Sequence, residues 1–301
     1  MIDAFRLGLG LAFLAIAAGM DVRTRKVPNR LWFIMFFTGI MVLEIGYIFD
    51  KAPQVLLLTP IPAMIVFIVI FTEGEIAEDS LSKGANIVLT IVLVLVAIAV
   101  IYYQGMSLAY DLEWKRTLHI PIMIALAYVF YIARVLHGGA DAKALMCLVV
   151  MVPFYPQLGS MPLIPNPELM TVMFPFAFVI LLDSALGVLL VPLGYAVFNA
   201  TRGDMDKRMF FGYRMPLKDV PKKFVWLMEK VVDGKNVTVL FPKRSDDKRL
   251  KKDLKALKEA GVKMPWVTPK LPFMVPMFVG YLLAFVVGNL IMGLVNLLVP
   301  A

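Results

Sequence analysis

The sequence predicts an all-α polytopic membrane protein of about eight transmembrane helices, with a small cytoplasmic α/β domain before the last span. Three observations predict it. The 301 residues are 60% hydrophobic and 17% charged, with a mean hydropathy of +0.80, against about 45–50% apolar and 25% charged in soluble domains. Eight apolar runs approach the roughly 20 residues needed to cross about 30 Å of hydrocarbon. One long hydrophilic stretch, 199–271, holds 19 Lys/Arg against 9 Asp/Glu.

The runs lie near 4–20, 31–49, 54–72, 86–104, 118–136, 142–158, 171–198 and 272–299. They divide the chain into a transmembrane core of about seven spans (1–198), a basic domain (199–271) and a last span (272–301). The first run differs from a secretory signal peptide. Only Arg6 is an early cation, whereas Arg23, Arg25, Lys26 and Arg30 follow the run. By the positive-inside rule the residues after Gly19 are cytoplasmic and the N-terminus is outside. Eight crossings then place 199–271 inside, while the outer loops 50–53, 105–117 and 159–170 contain only Lys51, Lys115 and Arg116 as cations. The net charge of +8 is therefore read as membrane sidedness, with the lipid bilayer as partner and no nucleic acid.

Within the hydrophilic stretch, KNVTVLF (235–241) alternates Val237, Val239 and Phe241 and predicts a strand. SDDKRLKKDLKALKEAG (245–261) predicts a helix, with Ser245 or Asp246 as cap, Leu250, Leu254 and Leu257 as its apolar stripe and Gly261 as its stop. The single cysteine, Cys147, excludes a disulfide scaffold and a four-cysteine zinc site. With only His119 and His137 besides, no metal centre and no cofactor are expected. The chain has no internal repeat, and its oligomeric state is not encoded in any feature of the sequence.

Charged groups inside an apolar run cost at least about 2.5–3.5 kcal/mol at a helix centre, so each calls for an explanation. Glu44, Arg134, Asp141, Lys143 and Asp183 lie in or at the edge of runs, and Asp21 ends the first. Asp21 follows Gly19-Met20 at the inner end of the first span, and Asp141 follows Gly138-Gly139-Ala140 at the inner start of the sixth. Parity puts both acids at one cytoplasmic depth. Two carboxylates that meet share one proton, and the pair then holds an acid and a base. The charged member activates water for attack on a peptide carbonyl, and the protonated member polarises that carbonyl and supplies the departing amine. Gly138, Gly139 and Ala140 permit close backbone approach, so an extended substrate has main chain to pair with. The residues alone equally fit two helix caps at a wet interface.

DVRTRKVPNRLW (21–32) resembles the segment after the first span of type IV prepilin peptidases, where an Asp precedes an apolar-Pro-Asn step. GGADAKAL (138–145) resembles their G-x-G-D-x-K motif, and WVTPKLPFMVPMFVGYL (266–282) resembles the entry to the last span of archaeal preflagellin peptidases. The resemblance implies a membrane aspartyl endopeptidase with Asp21 and Asp141 as its catalytic pair, and Gly138, Gly139, Ala140 and Lys143 as an active-site loop. It implies removal of a short basic leader from flagellin or type IV pilin-like precursors, cut before their apolar helix, at the cytoplasmic face of the cell membrane. Lacking the cysteines of the bacterial zinc domain and a glycine-rich nucleotide loop, the chain resembles the archaeal type without methyltransferase activity.

Two features depart from the family pattern. Ala140 stands where the motif has glycine, and three runs separate the second span from Asp141 where the family has one. Inserting a pair preserves parity. The added inner loop, 72–86, carries Glu73, Glu75, Glu78 and Asp79, and is read first as a solvated connector and second as a charge complement to a basic leader. Lys143 is expected to contact headgroups or pair structurally. Two rival readings remain. A presenilin-like or signal-peptide-peptidase-like protease also pairs membrane aspartates, and P-K-L-P (269–272) partly matches its P-A-L step. A cation-coupled transporter would use Asp21, Asp141, Asp183 or Glu44, with Asp183 mid-run in FVILLDSALGV.

Overall fold

The computed structural model describes residues 2–72, 80–136, 138–164, 171, 174–232, 234–240, 242 and 247–298. The acidic connector 73–79, His137, Ser245 and Asp246 lie outside the described residues. The chain forms two compact units, Met1–Ala185 with Pro272–Ala301, and Leu186–Leu271.

In the first unit the apolar runs become helices α1 (Ile2–Thr24), α2 (Asn29–Phe49), α3 (Pro60–Thr72), α4 (Ser80–Ser107), α5 (Leu112–Ile132) and α6 (Gly139–Met151). The next run becomes α7 (Phe176–Leu189) followed by α8 (Val191–Thr201), which lies in the second unit. The last run becomes α10 (Met274–Val286) and α11 (Leu290–Leu298), after α9 (Asp247–Glu259) of the second unit. Among the described residues six stretches are long and apolar enough to cross a bilayer, or seven if α10 and α11 count as one span bent by 59°.

The sixth expected span, 142–158, is instead a 13-residue helix, about 20 Å long at 1.5 Å per residue. Val152 closes it at φ −134° and ψ 76°, and Pro153 and Pro156 cannot continue it. Every residue of α6 from Ala144 to Met151 is buried, so it is a core helix packed between α2 and α5. Gly39 of α2 makes the close crossing possible, since a Cβ there would stand 3.0 Å from the Met151 backbone nitrogen. The chain beyond α6 continues without helix through buried Val152, Pro153 and Pro156. The N–H of Gln157 then donates to Asp3 Oδ2 at 3.0 Å, at the start of α1.

α1 packs along α10. Gly10 leaves room for the Tyr281 ring, whose hydroxyl donates to the Arg6 carbonyl at 2.8 Å. Arg6 is itself buried and paired with Asp3 at 3.2 Å. The break between α10 and α11 is built from specific residues. Gly288 takes φ +96°, the left-handed region that suits glycine. The carbonyls of Val286 and Val287, released from the helical ladder, accept from Leu163 and Ile164 N–H at 3.0 and 2.8 Å. Asp183, buried in α7, accepts from Leu290 N–H at 3.2 Å and so caps α11.

The second unit supplies the small α/β domain. Strands β1 (Tyr213–Arg214), β2 (Val225–Leu227) and β5 (Trp266–Pro269) form an antiparallel sheet in the order β1-β5-β2, and β3 (Glu229–Val232) pairs with β4 (Lys235–Thr238). The expected strand 235–241 is therefore present over its first four residues, and the expected helix appears as α9. Leu250 and Leu254 pack on a core of Met215, Val220, Val225 and Val267, while Leu257 is fully buried. Gly261 follows at φ +76°, the αL position that ends helices. Arg208 ties this domain together. It pairs with Asp206 through two bonds of 2.8 and 3.1 Å, and with buried Glu229 at 2.9 Å. Those hydrogen bonds from Arg208 hold the Asp206 carboxyl at about 2, below its ordinary 3.8.

Candidate active site

Asp21 and Asp141 belong to the same unit and lie close enough for the charge of one to act on the other. Each is placed by local backbone rules. Asp21 sits one turn before the end of α1, and its carbonyl accepts from Arg25 N–H at 3.0 Å. Arg25 at φ +57° then turns the chain, a bend fixed by the Thr24 hydroxyl, which donates to Met20 O at 2.9 Å and accepts from Lys26 N–H at 3.3 Å. The Asp21 carboxylate reaches the first turn of α10, where Oδ2 accepts from Met274 N–H at 3.4 Å. The Arg25 guanidinium also acts on it electrostatically.

Asp141 is the third residue of α6. Its Oδ2 accepts from Gly138 N–H at 3.1 Å, while its own N–H donates to the Gly138 carbonyl at 3.1 Å. This is half of a capping box, with the carboxylate closing on an extended glycine at φ −106°. Both acids therefore stand at helix N-termini, Asp141 at its own and Asp21 at that of α10. The free N–H groups of each helix start supply the hydrogen bond that each carboxylate accepts. Among the described residues each carboxylate has one oxygen engaged by main chain, and the other oxygen is not otherwise bonded.

The remaining expected site residues separate. Gly138 is in direct contact with the acid: a Cβ on it would stand 2.5 Å from Asp141 Oδ2. Its need for glycine is space and not φ. Gly139, Ala140 and Lys143 are helical residues of α6, so the expected loop is a helix start and only Gly138 is extended. Ala140 has no positive φ, which explains why alanine fits where the motif has glycine. Lys143 points away from a loop role: its Nζ donates to Asn29 Oδ1 at 2.7 Å and lies 4.6 Å from the centre of the Phe71 ring. No group of three or more potential metal-ligating side chains occurs among the described residues.

Sequence reasoning assigns no role to Met274 or Asn29. The PFMVP segment and the Pro28-Asn29 step were the available signals, but a contact spanning 253 residues, as between Met274 and Asp21, has no local trace.

Residues 207–290 match the family described as archaeal peptidase A24 C-terminus, type II. The chain is 27% identical over 167 residues to the preflagellin peptidase of Methanocaldococcus jannaschii, covering 52% of this chain and 65% of that protein. It is 26% identical over 183 residues to the preflagellin peptidase of Methanococcus voltae, covering 58% and 72%. For the preflagellin peptidase of Methanococcus maripaludis the values are 25% over 182 residues, 57% and 71%. The match thus spans about two thirds of the length of these relatives. Over more than half its length this chain is similar to archaeal preflagellin peptidases, and its 207–290 segment matches the archaeal peptidase A24 C-terminal family.

Proposed function

We propose that the protein is a membrane aspartyl endopeptidase that removes the short basic leader from archaeal flagellin or type IV pilin-like precursors. Asp21 and Asp141 are its catalytic pair, and the pair faces the cytoplasm. The observation that supports this reading is that two main-chain-anchored carboxylates stand at helix ends within electrostatic reach of each other, in a chain similar to preflagellin peptidases.

The chemistry follows from the geometry. Two carboxylates brought together at the site disfavour double ionisation and share a proton. The main-chain N–H groups of Gly138 and Met274 fix one oxygen of each acid, so the remaining oxygens are presented to a water and to a peptide carbonyl. The ionised acid takes a proton from the water as its oxygen attacks the carbonyl carbon. The protonated acid hydrogen-bonds the carbonyl oxygen, steadies the oxyanion that forms there, and gives its proton to the amine as the C–N bond breaks and the carbonyl re-forms, so the two acids end with their protonation states exchanged. A cut at the membrane edge leaves the substrate's apolar helix whole. The cation asymmetry of the connectors supports the cytoplasmic placement of the pair.

For the transporter reading, the structure gives Asp183 a local role as well: its Oδ1 accepts from Leu290 N–H at the start of α11. The function is tested by incubating membranes holding this protein with a flagellin precursor. A product shortened at its N-terminus, absent with Asp21→Asn, is the expected result; an uncleaved precursor would reject the reading.

A further inference from the structure

Lys143 and Asn29 are 114 positions apart in sequence, and both neighbour the acids. Lys143 follows Asp141 by two residues on α6, and Asn29 begins α2 after the short connector from Asp21. Their bond of 2.7 Å closes a physical circuit. From Asp21 the chain passes through the turn locked by Thr24 to Asn29, crosses to Lys143, and returns through the first turn of α6 to Asp141. A third element supports the crossing. Phe71, near the end of α3, presents its ring to the Lys143 ammonium and packs on Phe33 at 4.7 Å between ring centres. Phe33 is one helical turn beyond Asn29, on the same face of α2. The lysine is thereby held on two sides, by an amide oxygen and an aromatic face.

We propose that Asn29 and Lys143 are a positioning pair that sets the spacing of the two carboxylates by tying the start of α6 to the start of α2. The inference rests on the proposed function for its kinetic consequences but not for its structural one. A positioning role predicts that the hydrogen bond matters and that losing either partner lowers turnover in the same way. Loss of geometry at a paired site costs turnover more than substrate binding.

The test is a double-mutant cycle in the full-length protein, with Asn29→Ala, Lys143→Met and the double variant. Precursor cleavage and backbone hydrogen exchange of the 138–142 segment are both measured. Each single variant is expected to lower kcat by about tenfold or more, with KM within about twofold, and the double variant to be no worse than the weaker single. Asn29→Asp keeps an acceptor and is expected to retain most of the wild-type kcat. Exchange in 138–142 is expected to quicken in all three, while α4 and α5 stay as protected as in wild type, which separates repositioning from unfolding. Multiplicative single effects, a harmful Lys143→Met beside a silent Asn29→Ala, or unchanged exchange would each overturn the proposal. Should the wild type cleave no precursor, the exchange measurement still decides the positioning pair, and only the peptidase reading fails.

Discussion

Gln157 donates its backbone N–H to Asp3 Oδ2, at the end of α1 opposite Asp21. Asp141, near Asp21, and Gln157, at Asp3, therefore bracket a segment that runs the length of α1. That helix of 23 residues is about 34 Å long, the thickness of a bilayer core. The segment covers this distance with a helix of 13 residues and a non-helical stretch. Non-helical backbone at such depth is tolerated where protein surrounds it, and buried Val152, Pro153 and Pro156 meet that condition.

Cysteine labelling tests the resulting topology. In a Cys147→Ser background, which keeps a donor for the Trp32 carbonyl that Cys147 Sγ now contacts at 3.2 Å, Gln157→Cys should label from outside the cell and Ser245→Cys only from inside. Labelling of both from one side would contradict the crossing.

Gly138 and Gly139 should differ sharply although they are adjacent. Gly138→Ala puts a Cβ against the Asp141 carboxylate and should lower cleavage on the order of 10²-fold through displacement of about 1 Å. Gly139→Ala meets only the Tyr131 ring at 3.7 Å, an ordinary contact, and should keep cleavage within about threefold, as Ala is the better helix former. Parallel initial rates on one precursor decide between them.

Gly10→Val should destabilise the α1–α10 contact. Its side chain would enter the space of the Tyr281 ring, and overpacking of this kind costs about 1–3 kcal/mol. Thermal unfolding in detergent should show a lower midpoint for Gly10→Val, whereas Gly8→Val, with nothing within 4 Å of its added Cβ, should melt near wild type.

The Asp206–Arg208 contact gives the second unit a pH dependence. A carboxyl depressed to about 2 from 3.8 contributes stability that is present above the unfolded value and lost as pH falls through the folded one. Asp206→Asn should therefore melt below wild type at pH 7, with the gap closing between about pH 4 and pH 2. A gap of constant size across that window would assign the loss to packing instead of charge.

Much of the fold was legible because apolar length and charge are local properties. The runs at 4–20, 31–49 and 86–104 each fall within a helix, and the run at 118–136 overlaps α5 up to Ile132. Asp21 and Asp141 stand out in the sequence for the same reason, since charge at the edge of an apolar run is conspicuous. What escaped depends on distant partners. Pro153 and Pro156 were visible, but whether they end a span depends on the protein packed around them. The break at Gly288 needs Asp183, Leu163 and Ile164 to complete it. Strands β1, β2 and β5 are two to four residues long, and β5 finds its partners across the whole domain, so no alternation marks them. Lys143 was expected to pair or to reach headgroups, and its partner Asn29 required the folded chain.

The central claim is that Asp21 and Asp141 act as one catalytic unit. The most direct measurement is precursor cleavage by Asp21→Asn, Asp141→Asn and the double variant, with membrane insertion of each verified. Groups that act together lose function together, so each single variant should fall by roughly 10³-fold or more and the double should be scarcely worse. Near-wild-type cleavage by either single variant on an authentic precursor would contradict the account.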